Sequence, residues 1–201
     1  MGHTFSLRAY RIRAVKRLWA LILLLPIALG KTYLVPIEGE IDPALAVFVE
    51  QALARAEREG ASGVAFLIDT PGGRVDAAIR ISDRILQTPL PTLAVQNAFS
   101  AGALIALSCR QIVMLPGSEI GAALPVVALP LQEPQAADQK VISALKGKFR
   151  AVAEARGRPV ELAEAMVDPN LEVPGLSAKG EPLALSADKA VELKVADLKA
   201  A

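Results

Sequence analysis

Histidine is nearly absent from this chain of 201 residues: the one present, His3, lies ahead of a basic segment. No Ser-His-Asp or Cys-His pair can be built from the body of the chain, so a nucleophile there must take its base from another residue type. Cysteine is equally scarce. The single Cys109 excludes an intramolecular disulfide and a cysteine-built metal cluster. Its place after the apolar run 103–107 reads as a small buried residue rather than a nucleophile. Aromatic residues make up only 4%, so the 53% hydrophobic content is mostly Ala, Leu and Val, which suits small-residue helix packing in an α/β protein and excludes a disordered chain. Positive charge is also lacking in the body. Residues 31–201 hold 17 basic and 21 acidic side chains, a net of −4 that offers no footprint for nucleic acid.

Basic charge is concentrated at the start instead. Arg8, Arg11, Arg13, Lys16 and Arg17 precede the apolar run Leu18–Leu29, and no acid interrupts them. A charged segment before a short apolar one is the signal-peptide pattern, and Ala28-Leu29-Gly30 offers small residues for cleavage. The run has 12 residues and contains Pro26, well short of the roughly 20 that span a bilayer. Residues 1–30 are therefore expected to be a signal peptide, favoured over an N-terminal membrane anchor. Residues 31–201 form the one folded domain, placed outside the cytoplasm and opposite those positive charges.

Along the body, strands and helices alternate, which implies an α/β fold. Strands are expected at 33–37, where Pro36 suggests an edge, and at 63–68, 92–95, 112–115 and 183–185. Asp42-Pro43 starts a helix with an acidic cap and a proline in its first turn, ending near Glu59, with Val47, Val49, Ala52, Leu53 and Ala56 as its apolar face. Further helices are expected at 74–86, 103–107, 141–155 and 160–166, and a last one runs from a Ser186 cap to Leu193. Residues 69–73, 96–102 and 124–137 read as loops, the last rich in Pro, Ala and Gln.

Two of these loops lie at strand ends, where α/β proteins place their sites. Pro71-Gly72-Gly73 follows a buried strand; its glycines let the backbone approach a ligand and aim an N–H at a developing oxyanion. By itself it reads better as an ordinary turn. Ser100-Ala101-Gly102 sits at a strand-to-helix turn, where the serine hydroxyl and the Ala101 N–H can face one space. By itself the serine reads at least as well as a helix cap.

In combination the two are more specific. "LIDTPGGRVDAAIRI" (67–81), "AFSAGALIAL" (98–107), "GSEIGAA" (117–123) and "LALSADKAVELKVAD" (183–197) resemble the Clp protease proteolytic subunit, signal peptide peptidase A and, most closely, the membrane-bound serine proteases of the NfeD family. The resemblance covers most of residues 32–198. It implies a ClpP/crotonase-like fold of repeated β-β-α units and a serine endopeptidase with a Ser–Lys dyad. Ser100 would be the nucleophile, and the backbone N–H groups of Gly72, Gly73 and Ala101 would form the oxyanion hole. Lys140, which matches a lysine opening the helix after the 124–137 loop, would be the base, with Lys146 and Lys148 as local rivals. A lysine acts as a base only when uncharged, so it needs desolvation. Leu124, Val126, Val127 and Leu129 of the loop could supply that cover and hold substrate; the same residues also suit a plain linker. The resemblance implies a polypeptide substrate with apolar stretches, such as a membrane-protein segment or a stomatin-like partner, together with membrane association and a homo-oligomer. No metal or other cofactor is called for.

Two further patterns, Ser143-x-x-Lys146 and Ser186-x-x-Lys189, fit the S-x-x-K of penicillin-binding enzymes but lack that family's other motifs. Two rival functions remain. A crotonase-type acyl-CoA enzyme would share the fold but need neither Ser100 nor a leader. A non-catalytic scaffold or partner of a membrane complex would retain the fold without the activity. Lys194 also stands where the NfeD family's closing segment usually has Gly.

Overall fold

The computed structural model describes residues 30–127 and 135–201. Residues 1–29 of the leader predicted at 1–30, and Leu129, lie outside them. A parallel sheet runs β1 (Thr32–Glu38), β2 (Gly63–Thr70), β3 (Thr92–Phe99), β4 (Gln111–Met114) and β9 (Leu198–Lys199), in that spatial order. Pro36 lies in an edge strand, as its missing N–H requires. Helices α1 (Pro43–Arg58), α2 (Val75–Gln87) and α3 (Ala101–Ser108) connect the first four strands.

Both central strands are longer than their apolar runs. β2 continues through Asp69 and Thr70, which pair with Glu38 in β1 and with Asn97 and Ala98 in β3. β3 continues through residues 96–99, expected to be a turn, because it changes partners midway. Leu93–Gln96 pair with β4, then Ala98 and Phe99 pair with β5 (Glu119–Gly121). The polar character of this stretch hid a strand that long-range pairing imposes. β5 in turn pairs antiparallel with β8 (Ala184–Ser186).

The main core lies on the sheet face that carries Val35, Ile37, Phe66 and Ile68, against the buried faces of the helices. Asp42 caps α1, accepting the Leu45 N–H at 2.7 Å. The stripe that α1 buries is Ala46, Val49, Leu53 and Ala56, at spacings of three and four. Val47, expected inside, is 38% exposed, since one residue along a helix turns a side chain by about 100°. Cys109 is fully buried, and desolvation pushes its thiol up to about 12, as befits a packing residue.

The chain's second half closes the fold. Residues 124–137, expected to be a loop, pair at their ends: β6 (Val126–Val127) runs antiparallel to β7 (Gln135–Ala136). Helix α4 (Gln139–Arg156) starts on Asp138, which accepts the Val141 N–H at 2.9 Å, and stops at Gly157 in the left-handed conformation. α5 (Val160–Ala165) and α6 (Ala187–Glu192) follow, with Ser186 capping α6 as predicted. Arg158 fastens the chain end. Its Nη1 donates to the Val195 carbonyl at 2.7 Å and its Nη2 to Asp197 Oδ2 at 3.0 Å, while that oxygen also accepts the Ile112 N–H. β9, two residues long, has no apolar pattern of its own and was missed in the sequence.

Candidate active site

Ser100 stands between β3 and α3 with φ 53° and ψ −124°. A non-glycine residue there is strained by about 1–3 kcal/mol and persists only where its surroundings hold it. Its N–H donates to the Gly121 carbonyl at 2.9 Å, so β5 fixes the turn from one side. Its side chain makes no capping bond to α3, which leaves the hydroxyl free for other work. The strained strand-to-helix turn is the geometry by which hydrolases present a nucleophile.

The Gly-Gly loop fixes the other side. A Cβ on Gly72 would lie 2.6 Å from the Ser100 Cβ and 2.8 Å from its Oγ, so only glycine lets this backbone meet the serine. A Cβ on Gly73, at φ 150°, would lie 2.3 Å from the Ile41 carbonyl oxygen. Ile41 clamps the loop: its N–H donates to the Gly72 carbonyl at 2.8 Å and its carbonyl accepts the Arg74 N–H at 2.7 Å. Thr70 adds a third tie, its Oγ1 accepting the Gly72 N–H at 3.0 Å and donating to the Gly39 carbonyl at 2.5 Å.

This network sorts the three N–H groups expected to face an oxyanion. That of Gly72 is occupied by Thr70. Those of Gly73 and Ala101 donate to no acceptor among the described residues, Ala101 because it opens a helix. Both border one cavity of about 70 Å³ with Ser100. Leu124 and Val126 line it as well, whereas Val127 is exposed outside it. Leu145 and Phe149 of α4 complete its apolar wall and had not been singled out in the sequence; their i, i+4 spacing just after the candidate lysine was the available signal.

Lys140 is the second residue of α4, is exposed, and does not line the cavity. Its two rivals are engaged. Lys146 Nζ bonds Asp168 at 2.7 Å, holding that carboxyl below its ordinary range, and Lys148 pairs with Asp83. Lys140 has no ion-pair partner among the described residues. The described residues contain no cluster of three or more His, Cys, Asp or Glu able to hold a metal. None of their helices is long and apolar enough to cross a membrane.

Comparison with known proteins gives this arrangement its context. The membrane protein NfeD1b of Bacillus subtilis is 37% identical over 164 residues, covering 80% of this chain and 37% of that protein. The membrane-bound protease PH1510 of Pyrococcus horikoshii is 29% identical over 147 residues, covering 70% of this chain and 33% of that one. The chain thus spans about a third of the length of these curated relatives. Among solved structures, a serine-to-alanine mutant of the 1510-N membrane-bound stomatin-specific protease superposes with a TM-score of 0.74 at 26% identity, over 85% of this chain and 80% of that one. A lysine-to-alanine mutant of the same protease, in complex with a substrate peptide, gives 0.74 at 25% identity, over 85% and 75%. ClpP1 from Listeria monocytogenes, at 21% identity and a TM-score of 0.61 over 83% of this chain and 89% of its own, shows that the mixed α/β fold is ClpP-like. The family described as NfeD1b, N-terminal domain, matches residues 31–201, and this chain belongs to it.

Proposed function

We propose that this domain is a serine endopeptidase in which Ser100 attacks a peptide carbonyl, Lys140 takes the serine proton, and the Gly73 and Ala101 N–H groups hold the oxyanion. The observation that carries this reading is the strained Ser100, unbonded at its side chain, beside two free N–H groups at one cavity. Two donors aimed at a developing negative charge supply the largest part of such catalysis. The serine and lysine mutants by which the solved relative is described accord with a Ser–Lys pair. Among the described residues no carboxylate engages Lys140, whereas Lys146 pairs with Asp168 and Lys148 with Asp83. Bringing Lys140, which is exposed and outside the cavity wall, to Ser100 requires the first turn of α4 to move toward the cavity, which would also desolvate the amine. Acyl-enzyme formation releases the amine half of the peptide, and water activated by the same lysine then releases the acid half.

The substrate class follows from the apolar cavity wall and from the relative described as stomatin-specific: an apolar segment of a membrane-associated, stomatin-like protein. The basic leader supports a position of the domain on the extracytoplasmic side of the membrane, and the family resemblance supports a homo-oligomer. Labelling with a fluorophosphonate tests the chemistry. Wild type is expected to label, Ser100→Ala not at all, and Lys140→Ala at least 100-fold more slowly with an unchanged melting temperature. Labelling of Ser100→Ala at the wild-type rate would sink the nucleophile assignment, and full-rate labelling of Lys140→Ala would sink the base.

A further inference from the structure

The cavity beside Ser100 has a mouth and a floor. Val126 stands at the rim, 58% exposed, whereas Ala78, Leu104 and Phe149 are buried and close the far end. Among the described residues, the Ser100 hydroxyl is the only polar side-chain group in its lining. A charged substrate side chain would lose its hydration there without a partner. The volume of about 70 Å³ is less than half of the roughly 150 Å³ in which a benzene ring settles in a protein interior. The space takes a small aliphatic group and stops short of an aromatic one.

Resting on the protease reading above, we propose that this cavity receives the side chain preceding the scissile bond, that it selects Ala or Val there, and that the Phe149 ring sets the limit. Phe149 is the largest side chain in the wall and comes from α4, the helix that also carries Lys140. Truncating it removes one phenyl ring from the floor, the same group that a phenylalanine substrate would bring in. The exchange is a ring for a ring. One methylene more or less in an apolar pocket already discriminates by about 10- to 200-fold.

The test uses otherwise identical fluorogenic peptides carrying Ala, Val, Phe or Asp before the scissile bond. Wild type is expected to cleave the Val peptide with kcat/KM at least 10-fold above the Phe peptide, with Asp slowest. Phe149→Ala should turn this around, with Phe preferred to Val. Phe149→Leu, a milder change in the core, should narrow the gap by several-fold if Phe149→Ala does not fold, as checked by circular dichroism. Equal cleavage of Val and Phe by wild type overturns the proposal and leaves the protease reading standing. So does an unchanged preference in a folded Phe149 variant. Failure of wild type to cleave any peptide also overturns it, and if fluorophosphonate labelling is absent too, the protease reading falls with it.

Discussion

Three non-glycine residues among those described have positive φ: Ser100, Ala122 and Lys194. Ser100 and Ala122 flank the Gly121 contact that holds the nucleophile's turn, so their strain belongs to the site. Lys194 lies far from it in the chain. It follows the Leu193 cap of α6 at φ 60°, the position where a helix commonly ends on a left-handed glycine. The Gly that the family resemblance leads one to expect at this place would thus have a backbone cause. Lys194→Gly is expected to stabilise the protein by about 0.5–1 kcal/mol, offset in part by the freer unfolded chain, and to raise the thermal midpoint by about 1–4 °C. A fall in calorimetric midpoint would show that the lysine side chain contributes more than its backbone costs.

At the scale of elements, the close of the domain depends on one side chain. Arg158 is buried and reaches the Val195 and Arg110 carbonyls and Asp197, joining the loop after α4 to the segment that becomes β9. A lysine has one donor point where these partners need a fork. Arg158→Lys is expected to cost about 2–3 kcal/mol in urea unfolding. It should also speed hydrogen exchange at Ala200, whose N–H donates to Met114 in β4. Unchanged exchange there would mean that β9 holds without the clamp. The same contrast between local and distant causes explains what could be read in advance. Caps at Asp42 and Ser186 were legible because the cap side chain bonds an N–H only three residues on. Ser100 and the Gly-Gly loop were legible as a pair because glycine is the residue that tolerates their approach. The extension of β3, the β6–β7 pairing and β9 were not, since each depends on pairing with another strand; the Thr70–Gly72 bond was not either, being local but formed in a turn whose shape Ile41 and Gly39 help to hold. That bond is what removes Gly72 from the free donors.

For the molecule as a whole, acid is the weak direction. Bonds from Arg84 and Thr88 lower the Glu57 pKa, and the Lys146 and Asn170 bonds lower that of Asp168. A carboxyl depressed on folding stabilises the folded state fully above its unfolded pKa of about 4, and that contribution is lost as pH falls through the lower folded value. The urea midpoint is therefore expected to stay level from pH 7 to about 5 and to drop steeply below about 4. Asp168→Asn should remove about 1–3 kcal/mol at pH 7 and make the acid decline shallower. An identical slope in that variant would assign the acid sensitivity elsewhere. The exposed pair of Arg55 with Glu59 should add little to it.

The strand order has one more consequence. The described chain enters the sheet at β1 on one edge and reaches β9 on the other, with all five strands pointing the same way. Its two ends are therefore separated by four inter-strand gaps across the sheet and by much of a strand along it, about 25 Å. A circular permutant that joins residue 32 to residue 199 would need a connector of about eight extended residues. A shorter one would have to pull β9 off β4, the contact that Arg158 maintains.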